Sequence, residues 1–210
     1  MSPPSSRTAK TMTFSIAARC ATTGMLGVAV SSSSPAVAAR CAHARARVGA
    51  VLSQNVTDPA LGAKILDCLA GGQDAASALA TVLDGNDTAS YRQLLVVDDR
   101  GGSAIHTGAN GLGVVGEARG VDCVTGGNLL AHTAVPQHVA DAFTASQGHL
   151  AERLLAAMDA GVAAGGEAGP VHSAGLLIVD RQPYPIVDLR SLGADDVVVD
   201  LRGIDVENRA

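Results

Sequence analysis

The stretch "KTMTFSIAARC", Lys10 to Cys20, places a threonine directly after a methionine and at the head of a β-rich run. If the chain starts at Met12, removal of that methionine leaves Thr13 as the first residue. An N-terminal Thr carries its own base. The α-amine has a pKa of about 7.7–8.0, so a useful fraction is neutral near pH 7. It can take the proton of its own hydroxyl, usually through a water, and the hydroxyl can then attack a carbonyl. Thr is equally a good strand former, so position alone leaves both readings open.

Such chemistry also needs donors for a developing oxyanion. "LSQN" closes an apolar run and offers Ser53, the backbone N–H of Gln54 or its neighbour, and the amides of Gln54 and Asn55. "TGGNLL" is a second source. Gly126 and Gly127 let backbone approach a ligand, and Asn128 presents an amide. The same "GGN" also reads as a tight turn. In "GGEAGPVHSAG", Glu167 and His172 stand at a helix-to-strand junction. His172 and Ser173 suggest a Ser/His hydrolase, but neighbours on a strand point to opposite faces, and the sequence has no G-x-S-x-G elbow. The six histidines show no H-E-x-x-H spacing, and no metal or organic cofactor is implied. "GANGLGVVG" lacks the Lys-Ser/Thr of a phosphate loop and precedes no obvious helix.

The supporting elements follow from patterning. "TFSIAARC" and "GMLGVAVSS", split by "TTG", predict a hairpin, and "VGAVLSQ" a third strand. "DPALGAKILDCLAGG" predicts a helix capped by Asp58, with Pro59 in its first turn and Gly71 and Gly72 at its stop. "QDAASALATVLDG" predicts a second helix. Strands resume with "RQLLVVD", "SAIHTG" and "VDCVTG". Two more helices, "TAVPQHVADAFTAS" and "GHLAERLLAAMDAGVAAG", precede a buried strand, "HSAGLLIVD". Leu150, Leu154, Leu155, Met158 and Val162 form a core stripe. Paired helices between strand groups disfavour a doubly wound parallel sheet. They favour an α+β fold with four layers: helices, antiparallel sheet, antiparallel sheet, helices.

Composition limits the alternatives. Among 210 residues, 47 % are hydrophobic but only 2 % aromatic, with no Trp, so the core is built from Ala, Val, Leu and Ile. A net charge of −5 argues against nucleic acid. Arg40, Arg45 and Arg47 are the basic cluster, read as a solvated face or as one site charge with two bystanders. Four cysteines without CxxC spacing argue against zinc. Cys20 and Cys68 read as small core residues, which suggests a reducing compartment and a cytoplasmic location. No apolar run is long enough for a transmembrane helix. "MSPPSSRTAKT" has no apolar h-region, so residues 1–12 read as a disordered tail or an overcalled start.

"MTFSIAAR", "TGMLGVAVSS", "RVGAVLSQN", "VTGGNLL", "LAERLLAAMDAG", "GGEAGPVHSAGLLIVD" and "YPIVDLR", in this order, resemble an uncharacterised bacterial family, domain of unknown function 1028. That family is placed among the N-terminal-nucleophile (Ntn) hydrolases. The resemblance covers Met12 to Arg190, implying a domain over 13–190 and a divergent tail over 191–210. It implies an amidohydrolase that cleaves a small amide through an acyl-enzyme on Thr13. By layout the chain also resembles a proteasome β subunit. That likeness puts the active-site cation at Arg40 and the buried acid at Ser31 or Ser32. The catalytic candidates are then Thr13, Arg40 and Asn128, and the substrate-binding ones Ser31, Ser32, Ser53, Gln54, Asn55 and Gly127. Arg cannot exchange a proton near neutrality, so Arg40 would act by its field. A homodimer through an Ala/Leu-rich helix face is a further expectation. The competing class is a ligand-binding or scaffold protein that keeps the fold without turnover.

Overall fold

The hairpin forms as its pattern predicts. In the computed structural model, which describes residues 12–192, β1 (Thr13–Arg19) pairs antiparallel with β2 (Leu26–Ser32), and Gly24 takes a φ of +79° in the turn. Four further strands complete the first sheet: β7 (Gly116–Gly120), β8 (Cys123–Asn128), β9 (Ser173–Val179) and β10 (Pro185–Leu192). Their order is β10-β9-β2-β1-β8-β7, with every neighbouring pair antiparallel. The second sheet, β3 (Ala42–Arg45), β4 (Gly49–Asn55), β5 (Arg92–Asp98) and β6 (Ser103–Thr107), runs in chain order.

Five α-helices accompany them among the described residues. These are α1 (Ala38–Cys41), α2 (Pro59–Ala70), α3 (Ala75–Leu83), α4 (Val135–Ala145) and α5 (Leu150–Ala163). Asp58 caps α2 by accepting from Ala60 N–H at 3.0 Å, and Asp74 caps α3 from Ser77 N–H at 2.7 Å. Three apolar interfaces separate four layers. Phe14, Ile16 and Ala18 of β1 face Val139, Phe143, Leu154 and Leu155 of α4 and α5. Ala17, Val28, Val30, Leu52, Leu95 and Val124 fill the space between the sheets. Val51, Leu94 and Val96 pack on Leu61, Ile65, Leu69 and Leu79 of α2 and α3. The α+β fold with two antiparallel sheets between helix pairs is therefore the observed one. β1 lies at its centre, buried on both faces.

Several expectations are corrected. Val162 leaves the α5 stripe and is 46 % exposed, whereas Leu150, Leu154, Leu155 and Met158 are buried. Those leucines face the core, and the most exposed large apolar side chains among the described residues are Val121, Leu192 and Tyr184. Cys20 is buried as expected, but Cys68 is half-buried on α2; all four cysteines are free. "GGN" is the end of β8, not a turn. Short α1 and β3 and the Gly-bounded β7 carry too little periodic signal to be read. The expected tails, 1–12 and 191–210, lie outside the described residues except for Met12, Ser191 and Leu192; the last two belong to β10. No helix among the described residues is long and apolar enough to cross a membrane.

Candidate active site

Register decides which side chains meet. Thr13 pairs with Ser32 on one side and with Asn128 on the other. With a period of two, these three share the face that looks toward the second sheet, in line with Ala17, Val30 and Val124. Thr13 is 5 % exposed, and Ser32 and Asn128 are fully buried.

A run of hydroxyls connects Thr13 to a cation. Thr13 Oγ1 lies 3.1 Å from Ser32 Oγ, which lies 2.8 Å from Ser34 Oγ. Arg40 donates from Nη2 to Ser34 Oγ and from Nη1 to Pro35 O at 2.6 Å. Short α1 presents Arg40, and Ser173 shapes the approach. Its hydroxyl donates to Ser34 O at 2.6 Å and accepts from Val37 N–H at 3.1 Å. Arg40 can only donate, so Ser34 is free to donate onward to Ser32. Arg45 and Arg47, in contrast, are exposed; Arg45 pairs with Asp67 on the surface.

The carbonyl of Met12 sits in the middle of this array. Its oxygen accepts from Thr13 Oγ1 at 2.7 Å, from Ser32 Oγ, and from Ser33 N–H at 3.3 Å. Three donors therefore converge on the carbonyl next to the candidate nucleophile. Asn128 adds an amide whose oxygen and nitrogen are both buried without a partner. Glu167, 7 % exposed, reaches the same place, and its Oε2 accepts from Ser33 N–H at 2.9 Å. Desolvation by burial pushes its carboxyl up to about 8, with the Ser33 hydrogen bond opposing.

The other expected residues lie elsewhere. Ser31 pairs with Phe14 and points to the helix layer, one residue out of phase with Ser32. Ser53 shares the outward face of β4 with Val51 and donates to Asp58 O at 2.8 Å. Gln54 does look between the sheets, but both ends of its amide are engaged. It accepts from Ser15 at 2.6 Å and donates to Gln93 at 2.8 Å, so it fixes the floor beneath Thr13 and is no free oxyanion donor. Asn55 takes a left-handed φ of 70° at the strand end. Its side chain donates to Tyr91 O at 2.7 Å and accepts from Leu112 N–H at 3.0 Å. Gly127 turns to the helix side, where a Cβ would stand 2.6 Å from Leu130 and 2.8 Å from Thr13 O. Its contribution is close packing of β8 on β1. His172 is exposed and Ser173 buried, so the adjacent pair diverges as strand geometry requires. "GANGLGVVG" forms a loop that leads into β7, with no helix.

Fold and site together define a four-layer sandwich with a threonine heading its central strand, backed by serine hydroxyls and an arginine. The chain belongs to the family of unknown function DUF1028, whose model matches residues 13–201 and so runs on past Arg190. It is similar to the crystal structure of a DUF1028 protein from Silicibacter pomeroyi, at 27 % identity and a TM-score of 0.88. The match covers 95 % of this chain and 87 % of that one. A likeness to Anbu (ancestral β-subunit) from Yersinia bercovieri covers 93 % of this chain and 94 % of that one. At 12 % identity and a TM-score of 0.39 it carries no argument. No curated protein matches the chain.

Proposed function

We propose that the protein is an N-terminal-nucleophile amidohydrolase that cleaves a small amide through an acyl-enzyme on Thr13. The observation that carries this reading is the hydroxyl run from Thr13 through Ser32 and Ser34 to Arg40, beside a carbonyl held by three donors. The family match beginning at Thr13 supports the same start for the working chain.

The reaction requires that the Met12–Thr13 bond be absent, so that the Thr13 nitrogen is a free amine. The neutral amine takes the Oγ1 proton, and Oγ1 bonds to the substrate carbonyl carbon. Donation from Arg40 through Ser34 and Ser32 offsets the charge that develops on Oγ1. The unpartnered Asn128 amide receives the carbonyl oxygen as it becomes anionic, beside the Ser33 N–H that Met12 O shares with Glu167 Oε2. The C–N bond then breaks, and the leaving nitrogen takes the proton from the Thr13 ammonium. Water hydrolyses the ester and regenerates the threonine. Thr13 itself must be the base. The one lysine among the described residues, Lys64, is exposed on α2.

The second reading, ligand binding without turnover, is favoured by the arginine that stands where a proton-exchanging lysine would serve such a site. Two measurements separate them. Intact mass of protein from its own host should show a chain beginning at Thr13. That protein should then turn over members of an amide panel, while a folded Thr13→Ala variant turns over none. Equal turnover by the two proteins sinks the nucleophile.

A further inference from the structure

Glu167 is separated from Ser33 by most of the chain, yet it is fastened over the head of β1. Leu130 and Glu167 form an isolated bridge, flanked by Ala131 N–H to Gly166 O at 3.0 Å and Ala168 N–H to Leu129 O at 3.1 Å. Gly165 and Gly166, with φ of +99° and +53°, reverse the chain after α5 and set this bridge in place. Gly169 lies against Met12, and a Cβ there would stand 2.4 Å from the Met12 methyl.

One donor serves two acceptors in this corner. Ser33 N–H points at both Glu167 Oε2, at 2.9 Å, and Met12 O, at 3.3 Å. The carboxyl therefore adjoins the last carbonyl before Thr13. Its other oxygen, Oε1, is buried and has no partner. Buried polar atoms rarely go unpaired, and this one belongs to a carboxyl that shares its Ser33 donor with the Met12 carbonyl. Removing Met12 vacates the space beside Glu167 and replaces an amide by an ammonium with three donors.

We propose that Glu167 is the acidic partner of the Thr13 α-amine, a positioning residue that holds the ammonium and sets the pH at which the amine becomes a base. The proposal rests on the reading of Thr13 as an N-terminal nucleophile. It supplies the acid that the proteasome-like layout assigns to Ser31 or Ser32, from a different part of the chain. With Met12 in place, burial holds the carboxyl up at about 8; an ammonium beside it favours the carboxylate and is itself stabilised, so the two titrate as a coupled pair. The other ionisable side chains on adjoining segments are Arg40, occupied by Ser34 and Pro35, and exposed His132, His172 and Asp159.

The test uses a chain started at Met12, whose methionine is removed in the expression host and whose N-terminus is verified by mass. Every described strand and helix is retained. With 15N-threonine, the amine resonance is followed against pH. Glu167→Gln should lower the amine midpoint by about one pH unit or more, and Glu167→Asp should recover part of the shift. Equal midpoints in wild type and Glu167→Gln overturn the proposal. A second readout needs no variant. With 13C-carboxyl glutamate, the Glu167 midpoint should fall by about one unit or more from the full chain to the chain beginning at Thr13. An unchanged midpoint overturns the pairing. Acylation of Thr13 by a β-lactone, read by mass, separates the two layers. Acylation without either shift removes Glu167 and keeps the nucleophile. Shifts without acylation remove the nucleophile and keep the pairing.

Discussion

Ser34 is the residue on which the arginine's influence depends, because Arg40 meets Ser32 only through it. Ser34→Ala should slow β-lactone acylation of Thr13 by roughly 10- to 100-fold, the worth of one charge-assisted hydrogen bond of about 1.5–3 kcal/mol. A rate equal to wild type would confine Arg40 to structure. Glu167 gives a second expectation, for the full chain with Met12 in place. Its raised carboxyl means that the folded state keeps a proton which the unfolded chain releases from about pH 4.3. Stability from this group should therefore fall as pH rises from there to about 8 and level off above. Thermal midpoints measured across that window should lose this slope in Glu167→Gln. Parity explains which of the expected residues meet at the head of β1. Thr13 and Asn128 could be named from type and order, and Arg40 and the pair Ser31/Ser32 from the layout resemblance. Choosing Ser32 over Ser31, or Gln54 over Ser53, needs the strand register, because a shift of one residue reverses the face. Ser34 was not singled out, and Glu167 was noted only beside His172, because a loop and a long-range bridge bring them to Thr13 and neither has a local signature for that.

The elements were legible where they are long or well punctuated. Asp58, Pro59 and Gly71 mark α2 as clearly in the sequence as in the structure. Strands of two-sided burial, such as β9, announce themselves by unbroken apolar runs. Four-residue α1 and β3 do not, although α1 carries Arg40, the proposed cation. Close packing between elements was equally hidden. In α5, a Cβ at Gly161 would stand 2.6 Å from the Phe14 ring and 2.8 Å from Val139. Gly161→Ala should therefore destabilise the protein by about 1–3 kcal/mol despite alanine's helix preference. Asp98 ties the β5–β6 turn to α3, accepting from Ala75, Arg100 and Gly102 at 3.1, 3.0 and 2.7 Å. Its carboxylate is 4 % exposed with three backbone donors, so Asp98→Ala should cost about 1.5–3 kcal/mol. Chemical denaturation of each variant checks both values.

Across the whole molecule, the candidate site lies where the fold is most enclosed. β1 is flanked on both sides by strands and covered by α4 and α5 on one face and the second sheet on the other. Its amides, with those of β2, should be the last to exchange with deuterium, and those of the edge strands β3 and β7 among the first. Faster exchange in β1 than in β7 would contradict this ordering. The four-layer plan could be inferred from the sequence because helices come in pairs between groups of strands. The strand order could not, since β8 reaches β1 only after the entire second sheet has intervened. The donors gathered on the Met12 carbonyl have a practical corollary for work at the bench. On the proposed chemistry, any chain extended upstream of Thr13 keeps a tethered occupant in the carbonyl cradle, at an effective concentration that no dissolved compound matches. Protein purified through an uncleaved N-terminal tag would register as inert against every compound in a library. A C-terminal tag would leave the cradle open.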